Sequence, residues 1–145
     1  MQFNLELSVT EKCNLACPYC YVANQDTFLT PEMFDNSWDE FKTLVRRSHS
    51  HNEDYHVGFF GGEPLLNMDL IKYVVENYFG PDPHCQHMTI ISNLSLITQE
   101  IVDYVTEYGI GMSWSFDGIS SNLSRPLISS MKENDGFGSV LDMYN

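Results

Sequence analysis

Three cysteines crowd into eight residues of this 145-residue chain, in the run Cys13-Asn14-Leu15-Ala16-Cys17-Pro18-Tyr19-Cys20. The spacing is C-x3-C-x2-C. Thiolates so placed on one short loop can hold three corners of a 4Fe–4S cube and leave the fourth iron without a protein ligand. Clusters that only carry electrons normally have four cysteines, so a set of three points to a corner kept open for a substrate. An open position likewise separates catalytic from structural zinc. The fourth cysteine, Cys85, is far away in sequence. In a reducing compartment, clustered thiols point to metal or redox chemistry rather than to structural bridges.

Two other readings of the same thiols compete. Cys17-Pro18-Tyr19-Cys20 is also the active-site tetrapeptide of glutaredoxins, which would make Cys17 and Cys20 a thiol–disulfide pair. That chemistry has no use for Cys13, and no Val-Pro dipeptide exists to set the usual cis-proline beside the thiols. A zinc site built from the three cysteines and a histidine lacks a histidine within the next twenty residues. His84, Cys85 and His87 carry ligand-type side chains, but Gly80-Pro81-Asp82-Pro83 beside them predicts a surface loop. His49, His51 and His56 show no ligand spacing.

Such a loop needs elements to hold it. Phe3, Leu5, Leu7 and Val9 alternate with Asn4, Glu6, Ser8 and Thr10, which predicts a two-faced strand just before the cysteines. Thr30-Pro31-Glu32 reads as a helix start, with a cap, a proline at the first position and a carboxylate near the positive end of the dipole. Met33, Phe34, Trp38, Phe41, Leu44 and Val45 follow at helical spacing as core. Asp35, Asp39 and Glu40 form the solvated side, and Arg46-Arg47 suit the last turn. A second strand runs from His56 to Phe60 into Gly61-Gly62. Leu70, Ile71, Val74, Val75, Tyr78 and Phe79 give the next helical stripe, closed by Gly80-Pro81. Met88 to Ser92 predicts a third strand. Thr98 caps a third helix (Ile101, Val102, Val105, Tyr108) that stops at Gly109, and Met112, Trp114 and Phe116 alternate into a fourth strand. The order β-α-β-α-β-α-β predicts an α/β fold, a parallel sheet of βα units with right-handed crossovers.

The cysteines, Gly61-Gly62-Glu63, Ser92-Asn93 and Ser115-x-Asp117 all fall at or just past strand C-termini, the edge where parallel α/β folds bind ligands. A glycine pair is usually a plain turn; at this edge it would let backbone approach a ligand, with Glu63 adding a carboxylate. Ser113, Ser115 and Asp117 read equally well as a solvated face, and Arg125 as a surface ion pair. Four strands cannot close a barrel, for which roughly eight strands and about 250 residues are typical. Ser139 to Asn145 resembles the beginning of a helix. The expectation is a single domain over residues 1–145, truncated at its C-terminus.

Composition bounds the function further. A chain of this length can bury about 70% of its unfolded surface without disulfides. Hydrophobic residues at 43% and charged residues at 19% argue against disorder. Seven Lys and Arg against 20 Asp and Glu give a net charge of −13, which argues against a basic nucleic-acid-binding face. No apolar run reaches the roughly 18 residues a membrane span needs. The opening Met1-Gln2-Phe3-Asn4 lacks the regions of a signal peptide, so the expected location is the cytoplasm.

Together these blocks resemble the radical SAM superfamily, whose members use C-x3-C-x2-C with an aromatic residue before the third cysteine, the place filled here by Tyr19. Phe59-Phe60-Gly61-Gly62-Glu63-Pro64-Leu65-Leu66 is similar to the family's GGEP element at the end of its second strand. Ser115-Phe116-Asp117-Gly118, Arg125-Pro126 and Gly136-Phe137-Gly138-Ser139 resemble the branch containing sulfatase-maturating enzymes and peptide-modifying SPASM proteins. Ser92-Asn93-Leu94 departs from that branch's usual Thr-Asn-Gly. The resemblance covers essentially the whole chain and implies an incomplete, about four-stranded partial TIM barrel. It also implies a 4Fe–4S cluster on Cys13, Cys17 and Cys20, with S-adenosylmethionine (SAM) chelating the free iron and being cleaved reductively to a 5′-deoxyadenosyl radical.

By the same resemblance, Gly61, Gly62 and Glu63 would receive the methionine ammonium, Ser115 and Asn93 the ribose, and Tyr19 the adenine. Arg125 would meet a carboxylate of SAM or substrate. No catalytic residue is singled out. The implied partners are a reductant such as flavodoxin or ferredoxin and a peptide or protein substrate. A non-catalytic iron–sulfur or SAM-binding fragment, and the glutaredoxin-like oxidoreductase, are the alternatives.

Overall fold

Alternation in the first residues builds strand β1 (Phe3–Thr10), whose Val9 is buried while Phe3, Leu5 and Leu7 pack against the core. The structure is a computed structural model and describes residues 3–48 and 54–115. Helix α1 (Pro31–Ser48) begins where Thr30 caps it, the hydroxyl accepting from the Met33 N–H at 3.2 Å. Strand β2 (Tyr55–Gly61) leads through a short 3-10 turn, Pro64–Asn67, into helix α2 (Met68–Val74). Strand β3 (Cys85–Ser92), helix α3 (Gln99–Glu107) and strand β4 (Gly111–Trp114) complete the described elements.

All three strand pairs are parallel, in the order β1-β2-β3-β4. Each βα unit therefore adds the next strand on the same side, the way a barrel of this class grows. This is the four-stranded α/β sheet expected from the alternating pattern.

One sheet face is packed and the other is open. Tyr55, Val57 and Phe59 of β2 and Ile90 of β3 are fully or almost fully buried. Phe34, Trp38 and Phe41 of α1 close over them with Tyr78 and Phe79, largely edge to face: Phe34–Tyr78 at 5.0 Å, Trp38–Phe79 at 5.5 Å and Phe41–Tyr55 at 5.3 Å between ring centroids. Such geometry aligns ring edges with ring faces and adds to the area buried. The alternate residues form the opposite face. Register sets Glu6 beside Gly58, Gly58 beside Thr89 and Thr89 beside Gly111.

Two local expectations are corrected. The second helical stripe is not one α-helix: α2 passes into a π turn at Val75–Phe79, so Tyr78 and Phe79 both reach the aromatic core. Cys85 and His87 lie in β3 rather than in a surface loop, because Tyr55 N–H donates to the His84 carbonyl at 2.9 Å and pairing starts there. Cys85 sits partly buried near Asp82, and burial, followed by that negative charge, pushes its thiol up to about 11. A thiol held that high is a poor nucleophile.

Candidate functional site

The cysteine loop leaves β1 and is tied down by backbone. Glu11 N–H donates to the Thr27 carbonyl and Leu29 N–H to the Val9 carbonyl, so residues 27–29 run back along the end of β1. The Thr10 hydroxyl donates to the Thr27 carbonyl at 2.6 Å and accepts from Lys12 N–H. Asn67 adds a side-chain amide to the Val9 and Leu29 carbonyls. Inside the loop, the Asn24 side-chain oxygen accepts from Cys13 N–H at 2.8 Å, and its amide reaches the Leu15 carbonyl. Asn24 holds φ +51°, a left-handed value that asparagine tolerates better than most residues.

Gly61 and Gly62 have a steric cause that ligand approach alone does not supply. Gly61 has φ +144°, and a Cβ there would lie 2.0 Å from the Thr10 carbonyl oxygen. At Gly62 a Cβ would lie 2.3 Å from the Lys12 carbonyl oxygen. The end of β2 thus presses directly on the start of the cysteine loop. Gly62 N–H and Glu63 N–H donate to the Thr10 and Lys12 carbonyls, each at 2.8 Å.

Glu63 is fully buried, and its carboxylate turns inward. One oxygen accepts from Leu65 N–H at 3.1 Å and from the Ser92 hydroxyl at 2.6 Å; the other accepts from Asn93 N–H at 2.8 Å. Its side chain therefore ties the end of β2 to the end of β3 and is not part of the cleft wall described below. A ligand ammonium, the partner expected for this carboxylate, would share it with these protein donors. Three donors at the strand ends already claim it.

Asn93 continues the connection to the cysteines. Its amide donates to the Asn14 side-chain oxygen at 3.1 Å and lies 3.9 Å from the Cys13 sulfur. The Asn93 side-chain oxygen accepts from the Ser95 N–H and hydroxyl, and the Asn14 amide donates to the Ser95 oxygen. A polar chain therefore runs from buried Glu63 through the Ser92–Asn93 backbone to the cysteine loop.

Above these strand ends lies an open cleft of about 370 Å³, within the range of about 300–1,000 Å³ usual for ligand sites. Cys13, Cys17 and Cys20 line it together with Gly61, Gly62, Asn93 and Ser115. Ser115 is carried there by its N–H bond to the Ser92 carbonyl at 3.0 Å. Seven sequence-predicted residues from four strand ends thus share one cavity. Tyr19, 57% exposed, is not among its lining residues, and Tyr21, 89% exposed, is. Arg125 and Asp117 lie outside the described residues. Glu6 and Phe60 also line the cleft without having been singled out. For Glu6 the available signal was its phase in β1, opposite Leu5 and Leu7.

The three thiols are the donor type that a 4Fe–4S cluster takes. None is in a disulfide, Cys13 and Cys17 are half-buried and Cys20 is exposed. Among the described residues, no three His, Cys, Asp or Glu side chains converge as ligands of one metal ion would. In a cubane each cysteine holds its own iron, and the three cysteines line one cavity. Burial raises the Cys13 thiol above its usual range; the Leu15 N–H to its sulfur at 3.4 Å opposes this, while Glu63, Cys17 and Cys20 add to it. Ligation would replace the proton with metal.

The fold defines a four-stranded parallel α/β piece of a partial barrel, and comparison with known proteins names its family. The radical SAM superfamily profile matches residues 7–133, and the chain belongs to that superfamily. It is 29% identical over 94% of its length to the radical SAM cyclopropyl synthase TigE of Paramaledivibacter caminithermalis, of which it covers 30%. It is 32% identical over 94% of its length to the molybdenum cofactor biosynthesis protein moc-5 of Caenorhabditis elegans, covering 21% of that protein. In fold it matches the structure of native anSMEcpe with bound AdoMet and Cp18Cys peptide, with TM-score 0.63 and 22% identity, over 86% of this chain and 34% of that one. The chain thus spans about a third or less of the length of each. Members of the superfamily bind a 4Fe–4S cluster and SAM. Among the described residues, no helix is long and apolar enough to cross a membrane.

Proposed function

We propose that this chain is the cofactor-binding part of a radical SAM enzyme that modifies a peptide or protein side chain. The observation that carries the reading is the meeting of Cys13, Cys17 and Cys20 with Gly61, Gly62, Asn93 and Ser115 in one cleft at the strand C-termini. Cys13, Cys17 and Cys20 would hold a 4Fe–4S cluster, which together with SAM supplies a 5′-deoxyadenosyl radical when reduced. Gly61 and Gly62 offer backbone carbonyls, natural acceptors for an ammonium. Asn93 and Ser115 offer side-chain donors and acceptors suited to ribose hydroxyls. Leu15, Val22, Phe60 and Ile91 give the cleft apolar walls, which limit water around a reactive species.

The peptide assignment is supported by the SPASM-like motifs of the sequence and by the peptide in the anSMEcpe structure. Flavodoxin or ferredoxin would suit as reductant, and a cytoplasmic setting suits three thiols outside any disulfide. The test is anaerobic incubation of the reconstituted chain with SAM and dithionite. Formation of 5′-deoxyadenosine that is lost in each of Cys13→Ser, Cys17→Ser and Cys20→Ser, but kept in Cys85→Ser, supports the reading. Cluster and SAM binding without any product would leave a binding module instead.

A further inference from the structure

One carboxylate lines the cleft alongside the three cysteines, and the reading above gives it no role. It belongs to Glu6. Glu6 stands on the open face of β1, in a row that continues through Gly58, Thr89 and Gly111. Its neighbours in that row are all small. The carboxylate lies across β2, because a Cβ on Gly58 would stand 2.5 Å from one of its oxygens and 3.0 Å from the other. Among the described residues, no hydrogen-bond donor or cation is paired with it. Glu63 offers the contrast: buried, and supplied with three donors from the protein itself.

An ionised carboxylate only accepts hydrogen bonds, and its two oxygens match an ammonium or the fork of a guanidinium. The surrounding potential has the same preference, since the chain carries a net charge of −13 and draws cations toward its clefts. We propose that Glu6 is a substrate-recognition residue and that the substrate presents a cationic ammonium or guanidinium group to it. The proposal rests on the radical SAM reading of the same cleft, and it narrows the substrate to a basic one. Gly58 is part of the device, because any side chain there would displace the carboxylate. The cation could belong to a Lys or Arg side chain of a peptide or to a free amine.

The experiment measures binding of three probes to the full chain by saturation-transfer NMR: acetyl-Gly-Lys-Gly-amide, its norleucine counterpart, and cadaverine. Cluster content and SAM affinity are read separately on the same samples. The expected result is that the lysine peptide binds about three- to fivefold tighter than the norleucine peptide, the scale of a partly exposed ion pair. Glu6→Gln should erase that preference and Glu6→Lys should reverse it toward acetyl-Gly-Glu-Gly-amide, with circular dichroism unchanged. Cadaverine matching the lysine peptide would assign the site to free amines; weaker binding would assign it to peptides. Equal binding of lysine and norleucine peptides to the parent chain overturns the proposal. So does a preference that survives Glu6→Gln, or a loss confined to SAM affinity, which would make Glu6 a SAM contact. Absence of a cluster, with cation preference intact, would instead count against the radical SAM reading alone.

Discussion

Glu63 shows how much a single residue's surroundings depend on distant parts of the chain. Its position after Gly61-Gly62 suggests a ligand contact, and its carboxylate is buried and accepts from Leu65 N–H, the Ser92 hydroxyl and Asn93 N–H. Charge and identity at one position cannot say which way a side chain turns. That depends on donors brought in by β3, some thirty residues later. In Glu63→Gln, one acceptor oxygen becomes an NH2 group facing protein donors, leaving buried partners unmatched. The expected cost is about 1–3 kcal/mol, read as a lower midpoint in urea denaturation. An unchanged midpoint would mean that the carboxylate does not brace the strand ends.

At the scale of elements, β1 and the edge they share were legible because alternation and cap chemistry are local. Phe3–Thr10 carries its face assignment in period two, and Thr30 announces α1. The π turn after α2 was not legible, since spacing of three or four residues fits both helical forms. The start of β3 at Cys85 was hidden because it follows from pairing with Tyr55, not from its own polar residues. The contact between the β2 end and the cysteine loop yields a paired prediction. Gly61→Ala meets backbone oxygen at 2.0 Å in a conformation foreign to alanine, and should cost roughly 3 kcal/mol or more. Gly58→Ala meets only the tip of Glu6, a flexible and exposed side chain, and should stay within about 0.5 kcal/mol. Thermal melts of the two variants check this. Equal midpoints would show that β2 and the loop are not in close contact.

For the described part of the molecule, stability concentrates on the packed face, and the proposed function on the open one. Asp82 anchors the packed side by accepting from Lys42, from the Tyr55 hydroxyl at 2.9 Å and from His84 N–H at 3.0 Å. Burial works against its ionisation, but those donors prevail and hold the carboxyl below its usual range, while Tyr55 is pushed well up by burial and by Asp82. A carboxyl lowered on folding contributes stability above its unfolded pKa of about 4. That contribution fades as pH falls through the folded value. Asp82→Asn should therefore lower stability near neutrality and flatten its decline in acid, as measured by urea denaturation across pH; an unaltered acid slope would contradict this. The open face, with Glu6, the glycines and the three cysteines, is where the account is decided. The most direct measurement is iron content and EPR of the anaerobically reconstituted chain, before and after SAM is added to the reduced sample. The account predicts about four irons per chain and a cubane signal whose shape changes with SAM, because one iron lacks a cysteine. No cubane signal, or one indifferent to SAM, would contradict it.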